Sequence, residues 1–179
     1  MKRIHRFKSI PSTQTRSRVL AQAGAPAWTV VRADRQSAGR GRMDRRFSSG
    51  PGGLYFTVLL RPRMSPPDLA RFSLNTGRLM TKTVGALAGI KTKVKEPNDV
   101  LGLCADGRWR KVAGILIEAS GGRSSLDWVA IGVGVNVNNA VPRSLPDAAS
   151  LASIACRPIP LEAFYRGLMR SLKEAWRGL

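Results

Sequence analysis

Two apolar segments separated by a short glycine linker constrain the fold of this chain more than any other feature. Residues 110–119 and 126–137 carry the β-branched and apolar side chains typical of strands, and Gly121 and Gly122 lie between them. This spacing predicts an antiparallel hairpin. A further strand is predicted over residues 54–62, where LYFTVLLRP is apolar enough for a central position in the sheet.

Helical periodicity surrounds these strands. Apolar residues recur at helical spacing over 68–88 and again over 161–177, and Ser12 or Thr13 is a suitable N-cap for a helix that ends near Gly24. Shorter strands are predicted over 3–10, 28–33 and 91–95. We therefore expect an α+β fold, in which a mixed, mainly antiparallel sheet has helices packed on one face.

Two stretches without apolar periodicity, residues 35–52 and 138–160, are predicted to be loops. The first reads RQSAGRGRMDRRFSSGPG. Arginine supplies fork-shaped donors for carboxylate or phosphate, and glycine lets the backbone come close to a ligand. Because loops of this length in compact domains are usually functional or mobile, the first is a candidate binding segment for an anionic small molecule.

Size and composition indicate one folded domain. The chain has 179 residues, 43% of them hydrophobic, which is enough for a full core. No apolar run reaches the roughly 18 residues of a membrane span, and no apolar segment follows the basic start as in a signal peptide. Cys104, Cys156 and His5 are too few and too dispersed for a disulfide framework or a zinc site. We expect a single domain over 1–179, located in the cytoplasm.

The net charge of +19 has three open explanations. The chain could bind nucleic acid through phosphates, or attract an acidic protein partner, or simply reflect a GC-rich coding bias toward arginine. The basic residues are spread along the chain without a nucleic-acid-binding motif, so charge alone favours no dedicated DNA site.

Candidate binding residues lie in short segments, each with a structural alternative. Arg40, Gly41 and Arg42 can wrap a phosphate or carboxylate, or belong to a disordered basic loop. Lys111 enters an apolar strand and can neutralise an anion at the edge of a buried site, or be a solvated strand-end lysine. Gly114 in that strand fits close approach of a ligand, or marks a bulge.

Two further segments contain asparagines. Asn98 and Asp99 follow Pro97, where they can orient a phosphate or ribose and hold a metal, or only form a turn. The segment GVGVNVN at 132–138 can approach a flat ligand, or be a bulged strand followed by a turn. His5 is isolated, and we assign it no catalytic role.

Taken together, these segments resemble the catalytic domain of biotin protein ligase, also called biotin–[acetyl-CoA-carboxylase] ligase. The matching segments occur in the family's order: PSTQ at 11–14, ADRQSAGRGR at 33–42, GGLYFTVLLRP at 52–62, KEPND at 95–99, KVAGILIE at 111–118 and IGVGVNVN at 131–138. The resemblance implies a class II aminoacyl-tRNA synthetase-like fold. It also implies that ATP and biotin, with Mg²⁺, form biotinyl-5′-adenylate, which then biotinylates a lysine of a biotin carboxyl carrier domain.

The resemblance assigns roles residue by residue. Those expected to contact biotin are Ser12, Thr13, Gln14, Gln36, Arg40, Gly41, Arg42, Lys111 and Gly114. Arg42, Asn98, Lys111 and Asn136 are expected to serve the nucleotide, and Asp99 the metal. Lys111, Arg40 and Arg42 are the candidate catalytic residues, because cations reduce the repulsion between carboxylate and phosphate.

The chain also departs from the family pattern. Glu96 stands where tryptophan is usual, Asp44 replaces a glycine, Phe47 replaces a tryptophan, and the segment between Asp99 and Lys111 is a few residues longer than common. Neither the family's small C-terminal β-barrel nor an N-terminal helix-turn-helix is expected. No specific DNA partner is therefore expected, and the protein is expected to be a monomer or homodimer.

Two other functions remain open from the sequence. Lipoate or octanoate transfer is the first, because enzymes of that class resemble the same fold; GRGR and KVAGILIE favour biotin. The second is a degenerate homologue that binds a ligand or nucleic acid without catalysis, which Glu96 and Asp44 motivate.

Overall fold

A computed structural model describes residues 3–43 and 45–177. Within these residues the strands are β1 (Ile4–Phe7), β2 (Thr29–Ala33), β3 (Leu54–Leu60), β4 (Thr92–Lys95), β5 (Asp99–Leu103), β6 (Trp109–Gly121) and β7 (Leu126–Val135). The helices are α1 (Thr13–Gln22), α2 (Asp68–Ala88), α3 (Leu151–Ala155) and α4 (Leu161–Ala175). None of the helices in these two ranges is long and apolar enough to cross a membrane.

The strands form one sheet in the order β1-β2-β3-β7-β6-β5-β4. Only β1 and β2 pair in parallel, and every other neighbouring pair is antiparallel. The predicted hairpin is β6–β7, in which Ile117 lies opposite Ile131. Every residue of β3 is buried, which explains its long apolar run and confirms its central position.

One face of the sheet carries the main hydrophobic core. Side chains alternate between faces along a strand, so Phe56 and Val58 of β3 and Val133 and Val135 of β7 point to the same side. There they pack with helices α2 and α4. Leu168 of α4 is fully buried at this interface. The two helices predicted from periodicity thus cover the face that the apolar strand positions create.

Helix α1 lies against the opposite face. Ala21 packs there with Leu59, Trp128 and Ala130, which alternate with the residues of the main core. Side-chain hydrogen bonds are present at both ends of the helix. Ser12 caps its N-terminus by accepting a hydrogen bond from the Thr15 amide, and the Arg61 guanidinium donates to the carbonyl oxygens of Ala21 and Ala25 near its C-terminus.

Two elements are absent from the sequence prediction. The strand β5 was not predicted, because it begins at Asp99, where Pro97, Asn98 and Asp99 carry strong turn signals. Helix α3 has five residues and lies in the predicted loop 138–160, too short for periodicity to reveal, although Ser150 caps it. The predicted loop 35–52 contains no strand or helix within its described residues, and Asp44 lies outside them.

Candidate functional site

Three glycines form the floor of a cavity of about 400 Å³ on the face that α1 partly covers. Gly114 of β6 lies opposite Gly134 of β7, and Gly132 lies opposite Leu116. Side chains at these positions would fill the cavity: a Cβ at Gly134 would come within 2.8 Å of the Phe47 ring, and one at Gly114 within 3.4 Å of the Lys111 side chain. The glycines therefore let the Phe47 ring and the Lys111 side chain lie directly against the backbone of the floor.

One end of the cavity is lined by amides and hydroxyls. The Gln36 carbonyl oxygen accepts a hydrogen bond from the Thr13 amide at 2.8 Å, and the Gln36 amide group donates to Ser49 at 2.9 Å. The Gln14 amide group donates to the backbone oxygen of Ala130. These bonds join the start of α1, the loop and the sheet, so the polar groups are held in place before any ligand binds.

Thr57 completes this end from the central strand. Its hydroxyl is fully buried and lies 3.0 Å from the Thr13 hydroxyl and 3.1 Å from the Gln14 amide oxygen. A buried hydroxyl without hydrogen-bond partners would destabilise the fold. Thr57 has two such partners, so the three side chains form one hydrogen-bonded cluster.

The other end of the cavity is cationic. The Lys111 ammonium forms an ion pair with Asp99 at 2.7 Å there, and Lys95 from the edge strand β4 lines the cavity as well. Arg40, Gly41 and Arg42 line the cavity from the loop, and the Arg40 guanidinium contacts Glu118, which lies opposite Ala130 near the polar end. Several cations facing one cavity produce a positive potential that suits an anionic group.

Phe47 lies between the two ends. Its ring rests on the glycine floor near Gly134 and Gly114, its edge contacts Tyr55 at 6.3 Å between ring centroids, and the Lys111 ammonium lies 5.7 Å from its centroid. Burial raises the pKa of Tyr55, whose hydroxyl donates to the backbone oxygen of Gly50. Tyr55 thus attaches the end of the loop to β3.

A second cavity of about 610 Å³ adjoins the first. The two share Arg46, Phe47, Lys95, Asp99 and Lys111, so the Lys111–Asp99 pair stands between them. Asn136 lines the second cavity and accepts a hydrogen bond from the Asn139 amide group.

The structure brings most of the predicted site residues together. The first cavity is lined by Ser12, Thr13, Gln14, Gln36, Arg40, Gly41, Arg42, Asn98, Asp99, Lys111 and Gly114. Asn136 lines the second cavity instead. The Asn98 amide group donates to the backbone oxygen of Ile115, so part of its capacity is used in holding β5 to β6.

The departures from the family pattern have different surroundings. Glu96 lines the first cavity and forms a 3.0 Å ion pair with Arg78 of α2, with both side chains more than half exposed. The longer segment forms the β5–β6 turn, where Arg110 binds Asp106 in two hydrogen bonds and lowers the pKa of that carboxyl. Asp44 lies outside the described residues.

A carboxylate at the site could share a metal ion with a substrate. Within residues 3–43 and 45–177, no three His, Cys, Asp or Glu side chains group in a way that could hold a metal ion alone. Magnesium, however, is commonly held by one or two carboxylates together with substrate phosphates. Asp99 meets that smaller requirement, because its carboxylate faces both cavities.

Sequence reasoning missed several residues of the site. Thr57, Arg46 and Lys95 line or support the cavities without any sequence assignment, and Phe47 was noted only as a departure from a family pattern. Thr57 could have been found from the sequence, because a lone hydroxyl within an apolar strand needs a hydrogen-bond partner. Arg46 and Lys95 could not, because basic residues occur throughout the chain and these two do not stand out.

Comparison with known proteins gives a consistent result. A family model described as the biotin/lipoate A/B protein ligase family matches residues 6–136. The bifunctional ligase/repressor BirA of Bacillus subtilis (strain 168) is 37% identical over 173 residues, which are 94% of this chain and 52% of that protein. The biotin--[acetyl-CoA-carboxylase] ligase of Paracoccus denitrificans is 34% identical over 76% of this chain and 52% of its own length. The chain spans about half the length of these relatives.

Solved structures agree with the sequence relatives. The biotin protein ligase from Aquifex aeolicus in complex with biotin and ATP has a TM-score of 0.77 and 29% identity, over 97% of this chain and 70% of that one. The Leishmania major biotin protein ligase with biotinyl-5-AMP has a TM-score of 0.78 at 24% identity, over 98% and 75%, and shows the fold alone. The predicted class II aminoacyl-tRNA synthetase-like α+β fold is therefore confirmed.

Proposed function

Because the chain belongs to the biotin/lipoate A/B protein ligase family, we propose that it joins biotin to a protein in two steps driven by ATP. The biotin carboxylate attacks the α-phosphorus of ATP, and pyrophosphate leaves, giving biotinyl-5′-adenylate. The amine of a carrier lysine then attacks the acyl carbon; AMP leaves, the amine loses a proton, and an amide bond forms. Relatives named as biotin ligases, and the Aquifex neighbour with biotin and ATP, support this assignment.

The opposite polarity of the two ends of the first cavity is the observation that carries the proposal. Biotin has a ureido ring that both donates and accepts hydrogen bonds, and a carboxylate at the end of a flexible chain. The amide and hydroxyl cluster of Thr13, Gln14 and Gln36 suits the ring, and the glycine floor suits its flat body. Lys111 and the loop arginines suit the carboxylate.

Lys111 stands where the two substrates would meet. Bringing a carboxylate to a phosphate requires that their repulsion be reduced, and cations preorganised at that point stabilise the charge that develops. In the structure Asp99 neutralises the Lys111 ammonium at 2.7 Å. Arriving anions would compete for this ammonium, and release of Asp99 would leave its carboxylate for Mg²⁺, which would supply neutralisation of phosphate charge.

The nucleotide would occupy the second cavity and reach Lys111 from that side. Asn136 accepts a hydrogen bond from Asn139, which fixes its orientation, and its own amide hydrogens would serve as donors to the nucleotide. Arg42 and Asn98 line the first cavity and would contact the phosphate region. Glycine-flanked Arg40 and Arg42 would close over the adenylate and protect the anhydride from water.

An acidic biotin carboxyl carrier domain is the proposed acceptor. The net charge of +19 would accelerate its encounter with a negatively charged partner. ATP is also an anion, so the same charge would favour its binding in the first step as well.

Adenylate formation tests the proposal directly. The protein is incubated with biotin, Mg²⁺ and α-labelled ATP, and biotinyl-adenylate is separated from ATP and AMP. We expect product with the wild type and a decrease of about 10²–10³-fold in Lys111→Ala, the usual cost of removing one preorganised charge-stabilising group. Lys173→Ala is the matched control, because Lys173 lies in the last turn of α4 and does not line either cavity.

Replacing biotin with lipoate separates the two activities that the family name covers. Adenylate from lipoate but not biotin would assign the protein to the lipoate branch. No adenylate from either acid would contradict both, and it would favour a homologue that binds without catalysis. Normal adenylation by Lys111→Ala would exclude the role proposed for Lys111.

A further inference from the structure

Glu118 of β6 is an acidic residue on the site face that the proposed reaction does not use. Its carboxylate oxygen Oε1 lies 3.4 Å from Nη1 of Arg40 and 3.6 Å from Nη2 of Arg18. Arg40 belongs to the loop that lines the cavity, and Arg18 belongs to α1, whose first residues line the cavity as well. One carboxylate on the rigid sheet therefore contacts both segments that frame the cavity.

The second oxygen of this carboxylate is unsatisfied. Glu118 Oε2 is buried and accepts no hydrogen bond from any residue in the two described ranges, while both arginines approach Oε1. Buried carboxylate oxygens are normally hydrogen-bonded, because desolvation without a partner is costly. The geometry is thus that of an ion pair with half of its acceptor capacity unused.

Arginine is suited to use that capacity. A guanidinium forms two parallel hydrogen bonds with a carboxylate at about 2.7–2.9 Å, whereas Arg40 Nη1 lies 3.4 Å from Glu118 Oε1, longer than such bonds. A small inward shift of the loop would let Arg40 bind both oxygens. Gly39 accepts a hydrogen bond from the Phe47 amide and Gly41 donates one to the Arg45 oxygen, so Arg40 would move together with this part of the loop.

We propose that Glu118 is a positioning residue that anchors Arg40, and that closure of the loop over biotin completes a two-bond Arg40–Glu118 pair. This rests on the function proposed above. Glu118 does not line either cavity, so it acts through Arg40 rather than by touching substrate. The pair holds the loop against the sheet beside Ala130, where Gln14 is also bonded, and adds a favourable contact in the closed state only.

Steady-state adenylation kinetics provide the first test, on Glu118→Ala, Glu118→Gln and the control Arg18→Ala. Misplacement of a substrate-positioning group lowers kcat/KM by up to about 10²-fold. In Glu118→Ala we expect most of this to appear in KM for biotin, with KM for ATP nearly unchanged. Glu118→Gln keeps the size and one acceptor, so its loss is expected to be smaller. Arg18→Ala removes the other arginine and is expected to keep wild-type KM for biotin.

Limited trypsin digestion provides a second test that does not depend on catalysis. Cleavage within residues 40–46 of the ligand-free protein is followed by mass spectrometry, and we expect it to be faster in both Glu118 variants than in the wild type and Arg18→Ala. A general loss of stability would instead accelerate cleavage at all sites. It would also lower kcat and the melting temperature.

The outcomes separate the two proposals. A wild type that forms no adenylate contradicts the proposed function, and the digestion then still shows whether Glu118 anchors the loop. Unchanged digestion of the Glu118 variants overturns the anchoring. Faster digestion with unchanged KM for biotin overturns the positioning role, while both changes together support it.

Discussion

The two faces of the sheet differ in side-chain size although the same strands supply both. Along β7, Val133 and Val135 point to the helix-covered face and pack in the main core, whereas Gly132 and Gly134 point to the face that carries the cavities. On β3, the alternation places Phe56 and Val58 in the core and Thr57 in the polar cluster.

This difference separates stability from chemistry within single strands. Burial of apolar area against α2 and α4 stabilises the sheet, so the other face can hold glycines, hydroxyls and ion pairs that contribute little to folding. Substitutions on the helix-covered face should therefore change the free energy of unfolding, and those on the cavity face should change ligand binding.

Leu168→Ala should show the largest effect. Leu168 of α4 is fully buried in the main core, so the truncation removes apolar contacts and leaves a cavity. We expect the free energy of unfolding to fall by about 2–5 kcal/mol, measured by denaturant titration. The dissociation constant for biotin, measured below the unfolding transition, should not change; a parallel loss of affinity would show that the two faces are coupled.

Adjacent substitutions in β7 sharpen the comparison. Val135→Ala removes two buried methyl groups from the core and should lower the free energy of unfolding by about 2 kcal/mol with little change in biotin affinity. Gly134→Ala should do the reverse, because its Cβ would lie 2.8 Å from the Phe47 ring and displace that ring into the cavity. Calorimetric titration with biotin and denaturant unfolding, run on both variants, would contradict the separation if the two gave the same pattern.

Glu162→Gln should produce the smallest effect, confined to stability and dependent on pH. The Arg32 guanidinium, buried against the Tyr165 ring, donates a 2.6 Å hydrogen bond to Glu162 and lowers the pKa of that carboxyl below its ordinary value. A lowered pKa stabilises the fold above the ordinary value near 4.5, and this contribution is lost as the pH falls through the folded value.

Because the Glu162 side chain is 46% exposed, solvent screening limits the difference between wild type and Glu162→Gln to about 1 kcal/mol at pH 7. Unfolding measured at pH 7 and at pH 3 should show the difference shrink at the lower pH. A constant difference would mean that the residue acts through packing rather than charge.

Most of the fold was predictable because it depends on local periodicity. The β6–β7 hairpin, the central β3 and the helices α2 and α4 follow from apolar spacing alone. The strand β5 did not, because its pairing with β4 and β6 is a tertiary effect that overrides the turn signals of Asn98 and Asp99. Sequence also gave no sign that α1 would lie on the opposite face from α2 and α4.

The sequence predicted which residues line the site, but not which of them pair with one another. Segments from α1, the loop, β5 and β6 were grouped through their likeness to a family, and the structure brings all but Asn136 to one cavity. Which groups are already paired could not be read from the sequence. The Lys111–Asp99 and Glu96–Arg78 ion pairs join residues 12 and 18 positions apart, and only the folded sheet decides such partners.

The bonds between α1 and the β3 segment have a consequence for moving this site into another protein. Thr57 and Arg61, four residues apart on and just after β3, reach the first and last turns of α1, so that one stretch of chain is bonded to both ends of the helix. A designer who transplanted the loop and the glycine hairpin alone would carry over the floor and the cations without the amide and hydroxyl cluster at the start of α1. The smallest portable unit would also include α1 together with residues 54–61.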